Sequence, residues 1–155
     1  MKLIIAPHVI DENHLVEIIR KLKRPYVRYT RANEKNVRKA DCLIIDCFGL
    51  LSSIYRYGEI AYIGGGFGVG IHNTLEAAVY GIPVIFGPKY QKFQEAIQLL
   101  ETKGAFSVKD YEELKTLLDR MLTDEVFLRE SGMNASNYVT SNAGATDKIM
   151  SMINF

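Results

Sequence analysis

Short apolar runs alternate along the chain with stretches in which apolar residues recur every three or four positions. "KLIIAP" at residues 2–7 predicts a strand. "DENHLVEIIRKLK" at 11–23 predicts a helix capped by Asp11, with Leu15, Ile18, Ile19 and Leu22 on one face. "YVRYT", "CLIID", "EIAYIGG", "PVIFG" and "AFSV" predict five more strands, with helical patterns between most of them. From Asp110 an Asp-x-x-Glu capping box opens a helix that repeats Tyr111, Leu114, Leu117, Leu118, Met121 and Leu122, and helices run from there to the end. Strands rich in Ile and Val on both faces, each followed by a helix, predict an α/β fold: a doubly wound parallel sheet of about six strands with C-terminal helices. Ligands of such sheets bind beyond the carboxyl ends of the strands, which singles out the loops "PHVIDEN", "DCFGLL", "GGGFGVGIHN" and "GPKYQKF".

Composition narrows the picture. A chain of 155 residues, 48% hydrophobic and 24% charged, fits one globular domain, and no repeat or linker divides residues 1–155. A net charge of +1 excludes a chain-wide basic or acidic character, and no nucleic-acid partner is expected. Residues 20–39 nevertheless hold Arg20, Lys21, Lys23, Arg24, Arg28, Arg31, Lys35, Arg38 and Lys39 against Glu34 alone. Such a face is either solvated or drawn to an anionic membrane surface or ligand. Cys42 and Cys47 lie in one apolar run that reads as a buried strand, about 16 Å apart if extended. That separation forbids a disulfide between them and suits a reducing cytoplasm. "MKLIIAP" is too short for a signal peptide, and no run approaches the roughly 18 apolar residues of a membrane span.

The stretch "GGGFGVGIHNTLEAAVYGIPVIFGP", residues 64–88, carries the chemistry. Five glycines fall within seven residues, and they fit neither the P-loop ending nor G-x-G-x-x-G. The loop leaves a strand and enters a predicted helix at Asn73, whose first amides and dipole offer an anion site. The alternative is that the glycines only make a tight turn and let the helix pack closely. Glu76 is equally open. With Asn73 it can form a capping box that serves the helix, or it can accept bonds from the vicinal hydroxyls of a ribose. His72 either polarises a ligand oxygen or closes the turn.

These residues, taken together, resemble the donor-nucleotide half of a GT-B glycosyltransferase, and most closely the 3-deoxy-D-manno-octulosonic acid (Kdo) transferases. That family's loop reads roughly Gly-Gly-Ser-x-x-x-x-Gly-Gly-His-Asn-x-Leu-Glu-Pro, and "GGGFGVGIHNTLEAA" and "GPKYQKF" keep most of the pattern. "IIAPHVIDEN" is similar to its Ala-Pro-Arg-His segment, "DCFGLLSSIYRYGEIAYIGG" to its Asp-Thr-Met-Gly-Glu-Leu segment, and "NAGAT" at 142–146 fits as well. The sequence departs from the family at three places. The Arg after Pro is His8 or is displaced, with Arg28 and Lys89 as candidate replacements. The Glu after Met-Gly is Leu50, and the Pro after Leu-Glu is Ala77.

The resemblance implies a donor site for CMP-Kdo. Pro7 and His8 border the phosphate, Phe48, Gly49 and Leu50 hold the cytosine through backbone groups, and His72, Asn73, Thr74, Leu75 and Glu76 bind phosphate and ribose beside Gly68 and Gly70. It implies transfer of Kdo, with inversion, to a lipid A precursor in lipopolysaccharide synthesis. No metal or other cofactor is expected. The implied location is the bacterial cytoplasm, peripheral or anchored at the inner face of the inner membrane. The family's catalytic base, a Glu, belongs to an N-terminal acceptor half that this chain lacks, so the chain is expected to hold no catalytic residue and to be inactive alone. Two competing readings stay open: a donor half that uses a UDP-sugar, and a non-catalytic α/β nucleotide-binding module.

Overall fold

The computed structural model describes residues 1–68 and 70–153. They form two compact units, residues 1–54 and 55–153. The six predicted strands are present, three in each unit, and every pairing between them is parallel.

In the first unit β1 (Leu3–Ile5), β2 (Tyr26–Arg28) and β3 (Cys42–Ile44) are ordered β1-β3-β2. Leu3 and Tyr26 both stand beside Cys42, and Ile5 and Arg28 beside Ile44, so the strands start on one edge and end on the other. Helix α1 (Glu12–Lys21) begins as predicted, with the Asp11 carboxylate accepting from the N–H groups of Asn13 and His14. Its apolar face delivers Leu15 into a small core with Cys42 and Ile44, flanked by Ile18, Ile19 and Leu22. Two one-turn helices follow, α2 (Glu34–Val37) and α3 (Leu51–Ile54). Strand β3 stops at Ile44, so only Cys42 is a buried strand cysteine. Cys47 lies beyond the strand end and is half-buried, and both thiols are free.

The second unit holds β4 (Ala61–Tyr62), β5 (Val84–Phe86) and β6 (Ala105–Ser107) in that order, with helices α4 (Leu75–Ala78), α5 (Gln94–Glu101), α6 (Tyr111–Thr123), α7 (Glu125–Asn142) and α8 (Ala145–Met152). β5 is central and wholly buried on both faces, as its unbroken apolar run predicts. Its side chains enter two cores. One gathers Val84 and Phe86 with Leu99, Ala78 and Ala135, and the other joins Ile85 to Val108 and Met121. Helix α7 approaches closely through small residues: a β-carbon on Gly132 would collide with the Gly81 carbonyl, and one on Gly104 would lie 2.7 Å from the Ala135 backbone.

Two predicted helix starts differ in detail. At α6 the Asp110 carboxylate accepts from Glu113 N–H at 2.9 Å, but the Glu113 carboxylate reaches the N–H of Lys109 rather than that of the cap residue. The reciprocal bond of the box is displaced by one position. The helix expected from Asn73 onward is a single turn, because Gly81 turns the chain at φ +71° and Pro83 follows.

Candidate functional site

The glycine loop after β4 is a narrow turn closed by backbone bonds. Gly65 bridges Ile71, Gly66 N–H donates to Gly70 O at 3.2 Å, and His72 N–H donates to Gly64 O at 3.3 Å. Val69 lies outside the described residues. Gly66 has φ +81°, and a β-carbon there would lie 2.8 Å from Gly87 Cα. The loop therefore lies directly against the turn that follows β5, and Lys89 N–H donates to Gly66 O at 2.9 Å across that contact. A β-carbon on Gly70 would enter the ring of Phe93. Tight packing thus explains Gly66, Gly70 and Gly87. It does not explain Gly68, which is exposed and would meet nothing within 4 Å. Beside it the Lys89 ammonium donates to the Gly68 carbonyl at 3.1 Å.

The segment from His72 to Glu76 continues this turn. Asn73 Oδ1 accepts from Leu75 N–H at 3.0 Å, an Asx turn, while Asn73 Nδ2 donates to Glu76 Oε1 at 3.0 Å. The Glu76 carboxylate therefore meets the side-chain amide of Asn73, and the reciprocal backbone bond of a capping box is replaced. The residue before the first helical position is Thr74, which makes no side-chain cap bond. Its hydroxyl is fully buried with no hydrogen-bond partner among the described residues. A helix of one turn has only a small dipole, so the electrostatic reading of a helix start at Asn73 is weakened, and the donors of the loop itself carry more of the argument. Tyr55 is a neighbour that the sequence did not reveal. Burial pushes its phenol up, and the Glu76 carboxylate adds to the effect.

In the first unit Pro7 and His8 follow β1, while Phe48, Gly49 and Leu50 follow β3, so both segments leave adjacent strands on the same edge. Gly49 has φ +85°, which turns the loop, and the Phe48 ring is 80% exposed. Just before them Asp46, its side chain 1% exposed, accepts from Arg28 Nε at 2.8 Å, Thr30 N–H at 2.9 Å and Thr30 Oγ1 at 2.6 Å. Burial alone would raise this carboxyl. The Thr30 and Arg28 bonds outweigh burial and hold it at about 2. Arg28 also donates to both oxygens of Glu12. Of the two candidate replacements for the family Arg, Arg28 is thus engaged by two carboxylates, and Lys89 stands at the glycine loop. Pro7, His8 and Phe48–Leu50 belong to the first unit, and Gly68, Gly70 and His72–Glu76 to the second. Among the described residues no three His, Cys, Asp or Glu are grouped to hold a metal ion, and no helix is long and apolar enough to cross a membrane.

No protein-family model matches the chain. It is 38% identical over 125 residues to a 3-deoxy-D-manno-octulosonic acid transferase of Aquifex aeolicus, covering 79% of this chain and 34% of that one. It is 32% identical to the enzyme of the same name from Rickettsia felis, over 78% of this chain and 27% of the relative. A bifunctional glycosyltransferase/methyltransferase of Fusobacterium nucleatum is 31% identical over 88% of this chain and 23% of its own length. In architecture the chain matches the C-terminal CMP-Kdo binding domain of WaaA from Acinetobacter baumannii, with a TM-score of 0.76 at 19% identity, over 88% of this chain and 72% of that domain. That likeness establishes the α/β fold. By sequence the chain belongs with the 3-deoxy-D-manno-octulosonic acid transferases, of whose length it spans 34% and 27% in the first two relatives.

Proposed function

We propose that this chain supplies the donor-binding part of a glycosyltransferase that moves Kdo from CMP-Kdo to a lipid A precursor. The observation that carries the reading is the 38% identity to the Aquifex Kdo transferase over four-fifths of the chain. The loop from Gly64 to Glu76 supports it physically. Tight packing accounts for Gly66 and Gly70 but leaves Gly68 open beside a lysine ammonium, and Glu76 is held by one oxygen through Asn73. In this reading Gly68, Gly70, His72, Asn73, Thr74 and Leu75 surround the donor phosphate, and Glu76 accepts from the ribose. Lys89 supplies the cation that stabilises CMP as it leaves. Phe48, Gly49 and Leu50 as cytosine contacts, and Pro7 and His8 at the phosphate, rest on the family resemblance. No metal takes part, the acceptor and the catalytic base are supplied by a further domain, and the protein works at the inner face of the bacterial inner membrane.

A calorimetric titration with CMP and UDP, in the presence of EDTA, tests this. Preferential CMP binding that Glu76→Ala weakens at least tenfold is the expected result. Tighter binding of UDP favours a donor half for another sugar. If neither nucleotide binds, the proposal fails.

A further inference from the structure

The near-neutral chain conceals a basic unit and an acidic one. Residues 1–54 hold ten Lys and Arg against six Asp and Glu, whereas residues 55–155 hold nine against twelve. Topology gathers the excess of the first unit onto one edge. Its strands are parallel and in register, so Leu3, Tyr26 and Cys42 mark the amino edge, and Ile5, Arg28 and Ile44 the carboxyl edge where Pro7 and Phe48 follow. Helix α1 returns to the amino edge and delivers Arg20 and Lys21 in its last turn, with Lys23 and Arg24 next. Arg38 ends α2, and Lys39 leads into β3.

All six of these side chains are exposed, and none forms an ion pair among the described residues. Among the described residues Arg24 donates only to the Met1 carbonyl, at 3.3 Å. The nearby acid, Asp41, is already held by Lys2 at 3.2 Å. Arg24 and Lys39, from two different connections, line one cleft with Tyr26 and Asn36. Cations in the last turn of a helix serve its dipole, which accounts for Arg20 and Lys21. It leaves Lys23 and Lys39 unexplained, and Arg24 explained only by its bond to the Met1 carbonyl among the described residues.

We propose that the amino edge of this sheet docks on an anionic lipid surface, its cations meeting headgroup phosphates and the half-exposed Tyr26 ring lying at the interface. Cations spread over several connections fit an extended charged surface better than one small anion. The opposite, carboxyl edge stays open to solvent in that orientation. The proposal stands apart from the donor reading, because it uses no residue of the glycine loop.

Cosedimentation with phosphatidylcholine vesicles, with and without phosphatidylglycerol, tests it on the 155-residue chain. Binding is expected only to the anionic vesicles, and high salt abolishes it. Each surface cation contributes about fivefold to partitioning, so the Arg24→Gln/Lys39→Gln double variant should bind about thirtyfold more weakly. Arg31→Gln/Lys35→Gln, near the carboxyl edge, should stay within about threefold of the wild type by the same argument. Equal binding to neutral vesicles, no binding to anionic ones, or equal losses in both double variants overturns the proposal. Displacement by inorganic phosphate at constant ionic strength would assign a discrete anion pocket instead, and binding of single-stranded RNA but not of vesicles would assign a nucleic-acid partner. Either outcome overturns it as well.

Discussion

Arg28 and Asp46 are joined across the carboxyl ends of β2 and β3, Nε donating to Oδ2 at 2.8 Å with the carboxylate almost fully buried. The pair is not isolated. Thr30 adds two donors to Asp46, and Glu12 takes the far side of the guanidinium. Asp46 immediately precedes Cys47–Leu50, so this network fixes the starting point of that loop. The guanidinium is already met by two carboxylates, which leaves Arg28 little to offer an external phosphate.

Asp46 gives this unit a defined pH dependence. Its carboxyl stands at about 2 in the folded chain and near 3.9 when unfolded, so the folded value is depressed. The resulting stabilisation, about 2 to 3 kcal/mol, is complete above about pH 5 and lost as pH falls toward 2. Asp46→Asn removes both the charge and its titration. Urea midpoints should be lower for the variant at pH 7, and the gap should close on acidification. Parallel pH profiles for the two proteins would contradict this account.

The glycine loop permits a paired test of packing against ligand access. Gly66→Ala places a β-carbon 2.8 Å from Gly87 Cα at a φ of +81°, and neither backbone can yield easily. A loss of at least about 2 kcal/mol is expected. Gly68→Ala meets nothing within 4 Å and should stay within about 0.5 kcal/mol of the wild type in thermal melts. The same substitution should weaken CMP binding, because it narrows the approach to the loop. Unchanged CMP affinity in Gly68→Ala would argue that the ligand lies elsewhere.

Much of the fold was legible because it rests on local pattern. The alternation of apolar strands with one-faced helices marked all six strands, and Asp11 and Asp110 marked their helices, since a cap is chosen by residues within three positions of it. The helix at Asn73 was overestimated for a related reason. Leu75 to Val79 have good helical pattern, but the αL turn at Gly81 ends the helix after one turn. What the sequence could not reveal depends on long-range contact. Arg28 and Asp46 are 18 residues apart, Gly66 and Gly87 are 21, and Lys89 reaches Gly68 from 21. Five glycines in seven residues said that something approached closely there, but not that for Gly66 it was the backbone of the next βα turn.

Thr74 offers a cleaner substitution than Glu76. Its hydroxyl is buried, unbonded among the described residues, and makes no cap bond, so Thr74→Val replaces an unsatisfied group by a methyl of nearly the same shape. Leaving such a group unpaired costs about 1 to 3 kcal/mol, and the valine variant should therefore melt at or above the wild-type temperature. A clear loss of stability would mean that the hydroxyl has a partner in solution, and a change in CMP affinity would show that the partner belongs to the donor site.

Lys89 decides which cation stands in for the arginine expected after Pro7. Its ammonium is exposed and, among the described residues, tied to the protein only through the Gly68 carbonyl, so Lys89→Gln should shift the thermal midpoint by less than about 2 °C. If it meets the donor phosphate, CMP affinity should fall about tenfold and lose part of its salt dependence, the cost of one charge-assisted bond. Arg28→Gln should behave in the opposite way. It uncovers the buried Asp46 carboxylate and releases Glu12, so urea stability should drop by about 3 kcal/mol, whereas CMP affinity measured well below the transition should change little. Calorimetry on the two variants at matched ionic strength separates the roles. Loss of CMP binding in Arg28→Gln with full binding in Lys89→Gln would reverse the assignment.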